Sequence, residues 1–443
     1  MYREHRRRFL DRLRAERAAA VIPTASHKVR NHDAEYRFRP ESDFWYLTGF
    51  DEPDACLVLL PGLAKDEAPR SVLYLREKDK EREIWTGRRL GVAAAPAALG
   101  VDEARPIESL WTDLPKLLSN HERIVYRTGI DAARDAKFLE ATTRLRWAAR
   151  GNVAPPAELV DVAPTLHELR LFKTPAELDC MRRAARITRE AHVECMRRAR
   201  PSVSETELDA LLEYTFRKDG GTGPAYTPIV AGGANACILH YVENDQPLKD
   251  GELLLIDAGA EYDYYACDVT RTFPVNGRFT PDQRAIYSIV LEAQLAAIAH
   301  TRPGVRFTDV HERALEVLVR GLCGLGLLRG TPEEELRGEA YKRFYMHRTS
   351  HWLGLDVHDC GAYSKDGASR VLEPGMVLTI EPGLYLAPDD DTIDARWRGI
   401  GVRIEDDVLV TAAGHEVLTA GIPKDVDEVE AVCQGRALAQ AAR

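Results

Sequence analysis

Carboxylates that close apolar runs are the part of this sequence most able to do chemistry. The run at 253–256 (Leu-Leu-Leu-Ile) ends on Asp257, and the segment 264–274 carries Asp268. A two-residue turn at Tyr262-Asp263 would set the two aspartates directly opposite each other on one face of a hairpin, with Cβ atoms roughly 5 Å apart. Like charges so placed destabilise a hairpin unless a cation lies between them. Downstream, His347 and His351 precede a turn at Gly354 and then His358, while Thr379-Ile380 ends on Glu381. Arg403 and Glu405 share one face of a further strand. Taken singly, each acid reads as a solvated strand end, and a lone histidine among the 13 present as surface or core. Asp406 and Asp407 are read that way, as surface charges. The single-residue reading weakens where several acids each follow a strand that looks buried.

Positioning such groups takes a mixed scaffold. Thr174-Pro175-Ala176-Glu177 reads as a capping box with proline at the first helical position. Leu178, Met181, Ala185 and Val193 then line one side of the helix until Pro201. Ser204 to Glu207 opens a second capped helix, closed by Gly220-Gly221, and Thr280 to Gln283 opens a third. β-rich segments at 227–232, 237–241, 252–274, 376–386 and 400–411 share the domain with these helices. The first 170 residues alternate short apolar runs (56–60, 71–75, 123–126) with helical patterns, one across 132–149 that stops at Gly151. The stretch 152–164, with three prolines and little periodicity, suits a linker. The expected organisation is an α/β domain over residues 1–170 and an α+β domain over 171–443.

Composition narrows the function classes. A chain of 443 residues exceeds one ordinary core. Its 60 basic and 70 acidic residues leave a net charge of −10, which gives no electrostatic case for a nucleic acid or an anionic membrane. No apolar run reaches the roughly 18 residues of a membrane span. Eight scattered cysteines without a C-x-x-C pair support neither a disulfide framework nor a thiolate zinc site, so a reducing, cytoplasmic setting is expected. Arginines crowd the N-terminus, but Glu4, Asp11 and Glu16 interleave with them, unlike a transit peptide. Phe9, Leu10 and Leu13 at helical spacing make that segment an amphipathic surface helix.

The order Asp257, Asp268, His351, Glu381, Glu405 resembles the metallopeptidases of the pita-bread fold, the group that includes methionine aminopeptidase, aminopeptidase P and prolidase. The text around these residues, such as Asp268-Val269-Thr270-Arg271-Thr272-Phe273-Pro274 and Ser350-His351-Trp352-Leu353-Gly354-Leu355-Asp356-Val357-His358-Asp359, resembles bacterial aminopeptidase P in particular. In the N-terminal half, Ser42-Asp43-Phe44-Trp45-Tyr46-Leu47-Thr48-Gly49-Phe50 and Trp85-Thr86-Gly87-Arg88-Arg89-Leu90-Gly91 are similar to the same group. The likeness spans nearly the whole chain, and the full five-residue set is far more specific than any one motif. It implies an aminopeptidase P α/β domain followed by a creatinase/methionine aminopeptidase-like pita-bread catalytic domain.

The resemblance also implies two divalent metal ions. Asp257 would hold one, Asp268 and Glu405 would bridge both, and His351 and Glu381 would complete the other. Four carboxylates balance two dications, and so hard a donor set favours manganese, with zinc or cobalt able to bind in vitro. The implied reaction removes the residue preceding proline at a peptide's N-terminus, through a hydroxide shared between the metals. On the same resemblance Glu381 relays a proton to the proline nitrogen, and His240 and His358 contact substrate and stabilise the intermediate. Arg403 orients the bridging carboxylates or substrate. His347 is a further candidate for direct contact at the site, and Tyr385 and Trp85 wall it, Trp85 from a neighbouring subunit of a homodimer or homotetramer. The alternatives are prolidase, restricted to dipeptides, and a non-catalytic peptide-binding relative, a class that loses ligands kept here. Two departures stand out: Arg348, where the family usually has glycine, and Cys267, beside Asp268. Successive strand residues face opposite ways, so Cys267 is not expected to be a ligand.

Overall fold

The apolar runs of the N-terminal part become strands of one mixed sheet. The computed structural model describes residues 1–64, 66–148 and 153–436, and the chain divides into two units, Met1–Arg170 and Leu171–Arg443. In the first unit the strands are β1 (Ala18–Pro23), β2 (Cys56–Leu60), β3 (Arg70–Leu75), β4 (Glu103–Pro106), β5 (Arg123–Val125) and β6 (Glu158–Val160), in the order β4-β3-β2-β1-β5-β6. The pairs β1/β2 and β2/β3 are antiparallel, and the outer pairs are parallel. Buried Val58, Val72, Leu114 and Phe138 form its core with the helices Leu110–Leu118 and Ala132–Ala148. The second helix was expected to stop near Gly151, a point outside the described residues.

Two expectations for this unit change. The stretch read as a linker supplies β6, an edge strand paired in parallel with β5; prolines at its start do not prevent a short ladder further on. The N-terminal helix α1 (Tyr2–Ala15) buries Phe9 and Leu13, but also Arg6 at 3% exposure. That guanidinium donates to the carbonyls of Leu47, Leu99 and Gly100 at 2.6–2.9 Å, so it acts as a clamp rather than a surface charge.

The second unit is built from two hairpin systems, each backed by its own helix pair. Helices α2 (Pro175–Arg198) and α3 (Glu205–Lys218) start at capping boxes on Thr174/Glu177 and Ser204/Glu207. They pack Ile187, Met196, Leu208 and Phe216 against Val230, Leu254, Ile256 and Phe273 of β7 (Ile229–Gly232), β8 (Leu253–Asp257) and β11 (Thr270–Pro274). Helix α4 (Pro281–His300) has its capping box on Thr280/Gln283. It and α5 (Phe307–Gly324) pack Ile286, Val290, Leu318 and Leu322 against Leu384, Val402 and Ile404. Leu384 and Val402 belong to the second system, made of β12 (Val377–Ile380), β13 (Gly383–Tyr385), β14 (Gly401–Arg403) and β15 (Asp406–Thr411), and Ile404 sits in the link between its last two strands.

Register places the acids. Ile380 faces Asp406 and Gly383 faces Arg403, so one register runs past the break in the ladder and sets Glu381 opposite Glu405. In the first system the expected register is wrong by two residues: Asp257 faces Thr270, not Asp268. The turn between β9 (Ala260–Tyr262) and β10 (Tyr265–Ala266) is Asp263-Tyr264, whose φ angles of 48° and 64° make it the left-handed two-residue type that twisted hairpins favour. Moving the turn by one residue shifts the pairing by two, which keeps every side chain on its face. Asp257 and Asp268 are therefore diagonal neighbours on one face. Between them Gly259 lies so close to the opposing strand that a Cβ there would sit 1.7 Å from the Cys267 carbonyl oxygen.

Residues 237–241, expected as a strand, form none. Gly233–Cys237 is a 3-10 turn, and the loop after it is tied to the fully buried Glu205. Glu205 accepts hydrogen bonds from Gly232 N, Asn235 Nδ2, Tyr241 Oη and Gln246 N at 2.8–3.1 Å. A carboxylate one residue inside α3 overrides the β-propensity of Ile238-Leu239 by giving the loop's polar groups an alternative partner.

Candidate metal centre

The two hairpin systems deliver their acids to one cavity of about 800 Å³, and the loop before β12 adds the imidazole. Asp257, Asp268, His351, Glu381 and Glu405 all line it. Donor atoms of Asp268, His351 and Glu405 lie within 4.8 Å of one another. His351 Nε2 is 3.3 Å from Asp268 Oδ2 and 3.5 Å from Glu381 Oε1. Its other nitrogen, Nδ1, is 3.0 Å from the Trp352 carbonyl, which turns Nε2 toward the acids.

Asp257, Glu381 and Glu405 resist ionising together in so buried a place. Burial raises the Glu405 carboxyl well above its usual range, with repulsion from Asp268, Glu381 and Asp257 added. Burial likewise pushes Glu381 up to about 7 against the opposing pull of His351, and raises Asp257 against that of Arg403. Burial would lower His351, but its bond to Asp268 and the charges of Asp268 and Glu381 take it to about 9. Each shift asks for more positive charge in the cavity than the side chains supply, and oxygen-rich donors with one imidazole suit divalent cations. The residues fit a metal centre.

A second layer fixes these acids. Thr270 Oγ1 donates to Glu405 Oε2 at 2.6 Å and accepts from Arg403 Nε at 3.0 Å. Arg403 continues to Asp257 Oδ2 at 2.7 Å and to Tyr385 Oη at 3.0 Å. The Tyr226 hydroxyl lies 2.6 Å from Asp257 Oδ1 and 2.5 Å from Asp268 Oδ1, joining the diagonal pair. Sequence reasoning missed Tyr226 and Thr270. Thr270 was findable, because it stands two residues past Asp268 on an alternating strand and so shares its face. Tyr226, one of 16 tyrosines in a loop before β7, left no such signal.

Asp406 and Asp407 are not surface charges. Both are buried, at 0% and 1% exposure. Asp406 pairs with the fully buried Arg271 at 2.7 Å and with Lys424 at 2.6 Å. Arg271 also donates to the Glu405 carbonyl at 2.5 Å, so this pair holds the backbone of a donor residue. Asp407 accepts from the Asp268 N–H at 3.1 Å. Two of these partners, Arg271 and Asp268, lie 135 and 139 positions away in sequence, and no local pattern announces them.

The other predicted residues separate. His240 and His358 stand exposed on the cavity wall, His358 edge-on to His351 with ring centroids 4.4 Å apart. His347 lines the wall too, its Nε2 2.8 Å from Tyr385 Oη. Tyr385 is buried behind the lining, bonding His347 and Arg403 rather than facing the cavity. Trp85 belongs to the first unit, 87% exposed on the helix Lys80–Thr86, and is absent from the lining. Cys267 packs with Ala184, Ala185 and Ile422 and contacts Asp407, and it is absent from the cavity lining.

Comparison with known proteins gives the same picture from outside. Residues 179–412 match the model for metallopeptidase family M24, and residues 2–126 that for the aminopeptidase P N-terminal domain. The chain is 46% identical to an Escherichia coli Xaa-Pro aminopeptidase, over 94% of this chain and 93% of that protein. Among solved structures it resembles a Pseudomonas aeruginosa aminopeptidase with a TM-score of 0.94 at 48% identity, covering 98% and 97% of the two chains. It also resembles a zinc-substituted E. coli aminopeptidase P in complex with product, with a TM-score of 0.94 at 44% identity over 98% of each chain.

Proposed function

The chain belongs to metallopeptidase family M24, as a peptidase of the Xaa-Pro aminopeptidase kind, and we propose that it releases the N-terminal residue of peptides whose second residue is proline, using two divalent metal ions. The observation that carries this reading is the convergence of Asp257, Asp268, His351, Glu381 and Glu405 on one cavity, with three of them close enough to share an ion. Asp268 and Glu405 would be shared by the two ions, Asp257 would hold one, and His351 with Glu381 would hold the other. Manganese is the expected metal, on the hardness of the donors. When bound, such a pair of ions supplies hydroxide near neutral pH and polarises the peptide carbonyl.

The chain's own groups do the rest. Glu381 relays a proton to the proline nitrogen, which belongs to a tertiary amide and must be protonated to depart as a secondary amine. His240 and His358 stabilise negative charge on the carbonyl oxygen and orient the peptide. Arg403 orients Asp257 through its bond to Oδ2 and, through Thr270, aims Glu405. Residues 171–443 form the catalytic domain and 1–170 the accessory domain. The exposed pair Ile84 and Trp85, at 80% and 87% exposure, favours a homodimer or homotetramer in which Trp85 serves a neighbour's site. Eight cysteines, all unpaired, favour the cytoplasm, and no helix among the described residues is long and apolar enough to cross a membrane.

The test is manganese-supplemented hydrolysis of Gly-Pro, Ala-Pro-Ala and longer Xaa-Pro peptides. Cleavage of the tripeptide and longer chains at the Xaa-Pro bond is expected. Cleavage of the dipeptide alone would indicate prolidase instead, and no cleavage with metal bound would overturn the assignment.

A further inference from the structure

The loop that leads into His351 carries a cation whose charge the cavity does not use. Arg348 lines the same cavity as the donor acids and stands exposed on its wall. Its guanidinium forms no hydrogen bond or ion pair with any described residue. Arg403, also in the lining, is committed to Asp257, Tyr385 and Thr270. The acids in the lining are the four metal-ligand candidates, which leaves none to answer Arg348.

The backbone that carries this side chain is nevertheless fixed. The Arg348 carbonyl lies 2.8 Å from His347 Nδ1. Thr349, fully buried, holds Tyr345 Oη at 2.7 Å and His311 Nδ1 at 2.8 Å, and its carbonyl accepts Glu381 N–H at 2.8 Å. Burial, with the Arg348 charge added, pushes His311 down to about 4, so the imidazole beside the guanidinium stays neutral and adds no second charge. A pinned backbone presenting an unpaired guanidinium into a substrate cavity is a receptor for an anion, since planar two-point pairing with a carboxylate is what that group does best.

Resting on the function proposed above, we propose that Arg348 binds a carboxylate on the departing side of the substrate, beyond the scissile bond. A peptide's N-terminal side brings an ammonium, which a guanidinium repels. The departing fragment brings either its free C-terminus or an acidic side chain. Arg348 is thus a specificity residue that favours short peptides, or peptides acidic just after proline.

Three substrate pairs separate the sources: Ala-Pro-Ala against its C-terminal amide, and Ala-Pro-Glu-amide against Ala-Pro-Gln-amide, each with the wild type, Arg348→Gln and Arg348→Lys; the third is Gly-Pro against Gly-Pro-amide. The expected wild-type result is a preference of about threefold to tenfold in kcat/KM for the carboxylate partner of at least one pair, carried mainly by KM. Arg348→Gln should bring that ratio to about one, and Arg348→Lys should keep part of it. Equal rates within all pairs in the wild type, or a ratio that survives Arg348→Gln, overturn the proposal. Calorimetric binding of Pro-Ala and Pro-Ala-amide, the departing fragments themselves, gives the same comparison without turnover. If no peptide is cleaved, the functional reading falls while the binding ratio still judges Arg348.

Discussion

At the scale of single residues, the cavity is a place where charge is held out of balance until a cation arrives. Asp268 and Glu405 bring donor atoms within 4.8 Å of each other and are the proposed bridging residues. Asp268→Ala or Glu405→Ala should lower kcat/KM by about a thousandfold or more and release metal, as measured by elemental analysis after dialysis. Full activity at full metal content would remove the bridging roles. His358 touches His351 but faces the open cavity, so His358→Ala should cost about 10²- to 10⁴-fold in kcat with metal retained. Asp257 and Glu381 were legible in sequence because each closes an apolar run, and Asp268 and Glu405 because each sits in a β-rich segment. The residues that aim them were not: Arg271 reaches Glu405 across 134 positions, and the hydroxyl of Tyr226 spans two aspartates from a loop without pattern.

At the scale of elements, short-range chemistry was readable and long-range pairing was not. The capping boxes at Thr174, Ser204 and Thr280 declare their helices within four residues, and all three form. The hairpin turn needs two left-handed residues, and neither Asp263 nor Tyr264 is a glycine that would mark the place. Likewise, the strand expected at 237–241 gives way to a loop because a buried acid in another element claims its polar groups. Where strands do approach closely, the sequence has no slack. Gly259→Ala would drive a methyl into the Cys267 carbonyl, which is backbone and cannot swing aside. Thermal melts of the metal-free protein should show a loss of about 2–4 kcal/mol or more, with weakened metal uptake because the Asp257–Asp268 diagonal opens. An unchanged melting temperature would show that this approach is looser than described.

At the scale of the molecule, each unit keeps a buried acid bound to an arginine. In the first unit Asp43 pairs with Arg170 at 2.7 Å and with His167 at 3.0 Å, both at a few per cent exposure for the acid. Burial alone would raise the Asp43 carboxyl, but Arg170 and His167 overcome that and hold it well below the usual range. A depressed folded-state value means the stabilisation is complete above the unfolded carboxylate's pKa near about 4, and drains as pH falls from there toward the lower folded value. Asp43→Asn should therefore cost about 3–5 kcal/mol at neutral pH and show a shallower loss below pH 4 than the wild type, read from urea melts across pH. Parallel acid sensitivity in both proteins would deny the pair its role.

The donor set is divided between hairpins drawn from positions as far apart as 257 and 405. A polypeptide leaving the ribosome therefore exposes its first pair of acids long before the counterpart glutamates are translated. On the proposed assignment, a chain cut short anywhere in that interval would carry only part of the constellation and could not assemble the metal centre.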